Sequence, residues 1–191
     1  MADALEDFRH YTYGDYLEFP EKIRCELIRG EAYMMSSPSY RHQATVVDLC
    51  GQLRDFFKGK DCRVVVASFD VRLFPKEGEY DESDDTVVQP DLMVICDISK
   101  LEDEKAYKGA PDFIIEVLSR STRSHDFLRK RSLYEEAGVK EYWIVGTDTV
   151  FKYVPAEGGY AETRHTASTE ILDIPVDLFD GLILRFDPNI G

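Results

Sequence analysis

The sequence predicts an α/β (α+β) protein: a mixed β-sheet flanked by helices. Three observations carry this. Short apolar runs of strand length fall at residues 87–96, 112–118 and 141–145. Apolar residues recur at helical spacing over 42–57, and a second helix is read over 124–137, stopping at Gly138. The order along the chain is helix, strands, helix, strands, which suits helices packed on a mixed sheet. The chain has 191 residues, enough for one domain with its own core. No repeat or low-complexity linker interrupts it, so residues 1–191 are expected to form a single domain.

The elements follow in order. Tyr11, Tyr13, Tyr16, Leu17 and Phe19 ahead of Pro20 predict a short helix packed on the body. Residues 26–35 read as a hairpin with Gly30 in or near its turn. Ser36, Ser37 and Pro38 punctuate the chain before the long helix, whose apolar stripe is Val46, Leu49, Cys50, Leu53, Phe56 and Phe57. Residues 63–67 and 70–74 predict one long or interrupted strand. The acidic stretch 75–85 reads as a solvated hairpin tip. Asp81, Ser83 and Asp85 alternate as in a calcium loop, but the glycine and closing glutamate of an EF-hand are missing. The helix over 124–137 stops at Gly138, a good C-terminal signal. Strands at 151–154 and 160–165 extend the sheet, and the apolar tail from Ile171 to Phe186 covers part of the core.

Composition narrows the class. The chain is 43% hydrophobic and 31% charged, as in soluble globular proteins. Its longest apolar runs fall far short of the roughly 20 residues that span a bilayer. The start, Met1-Ala2-Asp3-Ala4-Leu5, lacks the basic and apolar parts of a signal peptide, so a cytoplasmic location is expected. Cys25, Cys50, Cys62 and Cys96 show no C-x-x-C pair and no zinc spacing, and are expected to be reduced. His10, His42, His125 and His165 also lack zinc spacing. There is no nucleophile elbow, P-loop or dinucleotide fingerprint. The net charge of −14 argues against an extensive nucleic-acid-binding surface, though not against a local basic patch.

The informative constellation is Gln89-Pro90-Asp91, then Glu116, then Lys130. Asp91 leads into Leu92-Met93-Val94-Ile95, and Glu116 sits inside Phe113-Ile114-Ile115-Glu116-Val117-Leu118. A carboxylate in a buried strand is costly unless paired, protonated or metal-bound. Strand alternation puts Glu116 on the face of Ile114 and Leu118, opposite Phe113, Ile115 and Val117. If the two strands are neighbours, both carboxylates converge at one end of the sheet. Asp91, Glu116 and the Val117 carbonyl then offer the hard oxygens that Mg2+ or Mn2+ prefers. Asp126, Lys130 and Tyr134 are spaced four apart on one helix side, and the Lys130 ammonium suits a charged phosphorane. Plainer readings stand beside these: Asp126–Lys130 as an exposed helix pair, Asp91 as a turn cap, and Glu116 paired with Arg120 or Arg131.

With Pro90-Asp91, Glu116 and Lys130 in place, the chain resembles the PD-(D/E)xK nucleases with a displaced lysine; Leu118 occupies the usual lysine position. The longer pattern resembles the Uma-type family of restriction-endonuclease-like proteins. The pieces are Glu26-Leu27-Ile28-Arg29-Gly30, Ser37-Pro38 with His42, Gln89-Pro90-Asp91-Leu92, and Ala110-Pro111-Asp112 through Ser119. They continue through Ser121-Thr122, Asp126, Lys130, Tyr134 and Gly138-Val139-Lys140-Glu141-Tyr142-Trp143. Gly146-Thr147-Asp148 departs from the family, which tends to place an aspartate directly after that strand.

The resemblance implies a restriction-endonuclease-like fold and a metal-dependent endonuclease. Asp91 and Glu116 would bind Mg2+ or Mn2+ with the Val117 carbonyl, and Lys130 would stabilise the transition state. Glu26 takes the place of the family's early acidic residue, for a second metal or a water; an ion pair with Arg24 or Arg29 is the alternative. His42 is implied at the phosphate or the site rim, or is a plain helix-start histidine. Gln89 positions the site or makes a sheet-edge hydrogen bond. Nucleic acid, DNA rather than RNA, is the implied substrate, and a homodimer suits duplex cleavage. The acidity motivates a rival: a non-catalytic binding or assembly module that keeps the fold.

Overall fold

The computed structural model of the protein describes residues 9–20, 22–77, 82–102, 105–118 and 125–190, with backbone alone over 125–128. In chain order the elements are α1 (Tyr13–Leu17), β1 (Cys25–Ile28), β2 (Glu31–Met34), α2 (Tyr40–Phe57), β3 (Arg63–Val66), β4 (Asp70–Arg72), β5 (Val87–Val88) and β6 (Leu92–Ile95). Then come β7 (Leu101–Glu102), β8 (Ala106–Lys108), β9 (Phe113–Val117), α3 (His125–Ala137), β10 (Glu141–Val145), β11 (Thr149–Ala156), β12 (Gly159–Thr166), β13 (Leu172–Pro175) and β14 (Ile183–Phe186). The mixed α+β class is as the sequence predicts. The chain divides into two interleaved units: residues 1–37, 69–89 and 100–109 form the first, and 38–68, 90–99 and 110–191 the second. Among the described residues no helix is long and apolar enough to cross a membrane.

The first unit is a six-stranded sheet in the order β2-β1-β5-β4-β8-β7. Its opening hairpin closes through Arg29 and Gly30, both at positive φ (55° and 79°), a two-residue turn that matches strand twist. The short α1 forms because Thr12 and Asp15 make a reciprocal capping box. It packs through Tyr13, with Tyr11, against Leu27 and Val87. The stretch expected as a solvated tip carries a buried residue instead. Asp84 is fully buried, accepting from Arg72 Nε at 2.7 Å and from the Lys76 amide at 2.7 Å. Residues 78–81, including Asp81 of the alternating acids, lie outside the described residues.

The second unit is a six-stranded sheet in the order β12-β11-β10-β9-β6-β3. Its centre is β9, parallel to β10 on one side and antiparallel to β6 on the other. One face buries Phe113, Ile115, Val117 and Trp143 against Val46, Leu49, Leu53 and Phe57 of α2 and against Ile174, Leu184 and Phe186 of the β13–β14 hairpin. That is the face alternation predicts for β9, and the tail does cover the core. The other face receives α3: Tyr134 meets Tyr142 edge-on at 4.9 Å between ring centroids. The helix ends where glycine permits, Gly138 having φ 86°, with the Gly138 and Val139 amides both donating to the Tyr134 carbonyl.

Three further expectations are corrected. Residues 63–74 hold two strands of two different sheets, β3 and β4; an apolar pattern marks a buried strand but not its partners. Residues 87–96 likewise split into β5 and β6, parted by Pro90, which has no amide to continue a ladder. The cysteines are not all reduced. Cys62 and Cys96 form a disulfide, leaving Cys25 and Cys50 as free thiols. Arg63 pairs with Ile95 across β3 and β6, so the flanking Cys62 and Cys96 are next in register. A separation of 34 residues conveys none of that.

Candidate active site

The sequence brings an acid to the end of β6 and another to the end of β9 because these strands run antiparallel. Leu92 pairs with Ile115, so Asp91 stands level with Glu116 and Val117. The Asp91 Oδ2 atom accepts the Val117 amide at 2.8 Å. This replaces the turn-cap reading: the carboxylate ties the start of one strand to the end of the next. The same oxygen lies 3.1 Å from His42 Nε2. Both side chains are nearly buried, at 10% exposure for His42 and 16% for Asp91.

His42 reaches Asp91 because of where α2 starts. Ser39 caps the helix by accepting the His42 amide at 3.2 Å. His42 then begins the stripe continued by Val46, Leu49 and Leu53, so its ring faces inward. Burial lowers its pKa, but the Asp91 hydrogen bond, the charges of Asp91 and Glu116, and the Val117 backbone outweigh that and raise it above the ordinary histidine value. An imidazolium beside Asp91 partly offsets the carboxylate charge.

Glu116 is held from the α3 side. Its Oε1 accepts from Lys130 Nζ at 2.9 Å and from the Tyr134 hydroxyl at 2.8 Å. Lys130 and Tyr134 are four apart, one turn of helix, so both reach one oxygen. At 10% and 12% exposure the pair is nearly buried, and stranding either charge would cost about 3–5 kcal/mol. Of the alternative partners, Arg131 is engaged elsewhere, its guanidinium stacking over the Tyr153 ring at 5.2 Å; Arg120 lies outside the described residues, as does the Asp126 side chain.

Asp91, Glu116, Val117, Lys130 and His42 thus all belong to the second unit. Glu26 and Gln89 belong to the first. There Glu26 is buried on β1 and its Oε1 accepts the Gln89 amide at 2.8 Å, while the Gln89 side chain donates to Asp70 at 2.8 Å and to the Tyr16 hydroxyl at 3.0 Å. Burial, ahead of its hydrogen bonds, holds the Asp70 carboxyl above the usual range.

Two features escaped the sequence reading. The His42–Asp91 contact was legible in principle, because His42 falls in register with the apolar stripe of α2. The second is a cleft of about 390 Å3 beside Asp91 and His42, walled by α2 and the end of β3. Nothing in a linear pattern marks it.

The donor chemistry bears on a metal. Among the described residues no group of three or more His, Cys, Asp or Glu is arranged to hold an ion. Two carboxylates and a backbone carbonyl are all oxygen donors, a set that fits a hard cation keeping several waters.

Comparison with known proteins now adds to the geometry. The sequence model of the Uma2 family, described as "Putative restriction endonuclease", matches residues 5–186. No curated protein matches the chain. Among solved structures, one described as a putative nuclease belonging to DUF820 from Anabaena variabilis ATCC 29413 is similar, with a TM-score of 0.71 and 19% identity over 92% of this chain and 94% of that one. The likeness in structure shows a shared fold, and the family match supports a nuclease-like function.

Proposed function

We propose that this chain, which belongs to the Uma2 family of restriction-endonuclease-like proteins, hydrolyses phosphodiester bonds of nucleic acid at the Asp91–Glu116 site. One observation carries the reading: two nearly buried acids stand at neighbouring strand ends, with an ammonium on one and an imidazole on the other. Nothing in packing alone requires four ionisable groups there, and each is expensive to desolvate. The uninterrupted family match supports one nuclease-like domain running through both units.

The roles follow from the contacts. Asp91, Glu116 and the Val117 carbonyl would hold Mg2+ or Mn2+. Such an ion, when bound, supplies a more acidic water and offsets charge on phosphate oxygens. Hydrolysis adds a water oxygen to phosphorus, breaks the bond to one sugar oxygen, and passes a proton from the water to that leaving oxygen. Lys130 offsets charge on the phosphorane. His42 positions Asp91, and Tyr134 positions Glu116 and keeps its Oε1 turned toward α3.

The test is nicking of plasmid and single-stranded DNA with Mg2+ or Mn2+, comparing Asp91→Asn and Lys130→Ala with the unaltered chain. Activity should vanish in the first and fall steeply in the second. Equal activity in all three would assign it to a contaminant. Millimolar Mn2+ should also raise Tm in the unaltered chain and not in Asp91→Asn, because a ligand of the native state stabilises it.

A further inference from the structure

The cleft beside Asp91 is built differently from the acids it adjoins. Its buried floor is Val46, with half-buried Cys50 beside it, and exposed Val47 and Val66 form the rims. Gly51 leaves one wall open: a Cβ there would meet nothing within 4 Å. Arg54 closes the far end, exposed, with no carboxylate paired to it among the described residues. An unpaired guanidinium is notable in a chain of net charge −14. His42 and Arg54 are twelve residues apart on one helix, about 18 Å along its axis. Valines 46 and 47, Cys50 and Gly51 lie between them.

Resting on the nuclease reading above, we propose that this cleft seats unpaired nucleotides of the substrate strand next to the scissile phosphate. A base lies against Val46, Val47 and Cys50, and Arg54 holds a phosphate a few nucleotides along. Three arguments select an unpaired strand over a duplex. The volume sits at the small end of the roughly 300–1,000 Å3 of small-molecule pockets, room for a base and sugar. An apolar floor suits the face of a base, which a duplex keeps stacked and an unpaired strand exposes. Duplex affinity needs many phosphate contacts, which so acidic a chain is poorly equipped to make.

Cys50 provides a readout independent of cleavage. It lines the cleft, while the other free thiol, Cys25, is buried. The experiment measures alkylation of Cys50 by iodoacetamide in EDTA, with a single-stranded oligodeoxynucleotide or with the same sequence as duplex. The single strand should slow alkylation about tenfold at saturation and the duplex should not. Gly51→Trp fills the open wall at a helical position with free space, and circular dichroism checks its fold. It should abolish oligonucleotide binding, measured by fluorescence anisotropy. Arg54→Ala should lower the slope of log affinity against log salt by about 0.7, the value for one phosphate contact on a single strand. Equal protection by duplex, absence of protection, or unchanged binding in folded Gly51→Trp would overturn the proposal. Protection by the single strand without Mn2+-dependent cleavage would retain the cleft and sink the nuclease reading. Cleavage without protection would do the reverse.

Discussion

Two acids on adjacent strands of the same sheet, Glu141 on β10 and Glu116 on β9, both lie in apolar strands and are held by different partners. Glu116 interrupts an apolar run and Glu141 opens one, and each strand is otherwise buried. Glu141 opens β10 opposite Phe113, whereas Glu116 lies near the end of β9 opposite Ile144. The Glu141 side chain is wholly buried. Its oxygens accept the Trp143 indole at 2.7 Å and the Leu178 amide at 2.8 Å, and Lys152 stands 3.6 Å away. Burial, partly opposed by these groups, keeps its carboxyl above the usual range. It ties strand β10 to the segment that follows β13. Glu116 keeps 12% exposure and stands level with Asp91, near the carboxyl end of β9. A buried acid in a strand therefore marks a cost that something offsets; its neighbours decide whether that something is packing or chemistry.

The largest expected effect breaks the symmetry between these acids through activity. Glu116→Gln keeps the shape and the Tyr134 contact but loses the charge. Cleavage under Mn2+ should fall by at least about a thousandfold, since an anionic ligand of the proposed ion is removed. Glu141→Gln should leave cleavage per folded molecule within about twofold. Comparable losses in both variants would mean that Glu116 is as structural as Glu141.

Stability should not separate the two acids, since uncoupling Lys130 and uncoupling Lys152 cost about the same. Glu141→Leu leaves Lys152, buried at 5% exposure, with Asp177 and the Pro175 carbonyl as its remaining partners. It also strips the Trp143 indole and the Leu178 amide of their acceptor. A loss of about 3–5 kcal/mol is expected. At roughly 2–4 °C per kcal/mol for a chain this size, thermal unfolding should drop by about 10 °C. The first unit supplies a control of the same kind. Asp84→Ala leaves Arg72 partly uncompensated, although Glu102 at 2.8 Å and the Tyr13 ring at 4.4 Å remain. The expected loss is therefore smaller, about 2–3 kcal/mol by denaturant titration.

The same contrast explains what the sequence conveyed. Alternation in 113–117 gave both faces of β9 correctly, because side-chain period follows from backbone pleat alone. The spacing of Lys130 and Tyr134 put both on one side of α3, and Gly138 ended the helix, for equally local reasons. Asp91 and Glu116 were singled out from desolvation cost, and they do stand at neighbouring strand ends. The same criterion passed over Glu141, because a strand's first residue looks exposed, and over Asp84, because an acidic stretch looks solvated. Both are buried by partners distant in sequence: Leu178 and Lys152 for one, Arg72 for the other. The cleft beside His42 was out of reach for the same reason, being walled by two elements whose pairing no periodicity encodes.

The smallest expected effect concerns pH and again turns on Lys152. His165 on β12 has its pKa lowered, by burial first and then by the Lys152 charge, with Asp177 acting in the opposite sense. Its ring is therefore neutral in the fold over a range where the unfolded chain takes up a proton. Below about pH 6.5 the unfolded state binds more protons than the native state, so stability rises with pH there. The contribution is complete above about pH 6.5 and is lost as pH falls from there through the lower value of the folded state. Tm should decline modestly from about pH 7 to about pH 5, and His165→Gln should remove part of the decline. In Lys152→Met the second lowering cause is gone but burial remains, so the decline should shrink less than in His165→Gln even though the protein is less stable at every pH. A slope that survives both substitutions would assign the acid sensitivity to the carboxylates of the sheet instead of to this histidine.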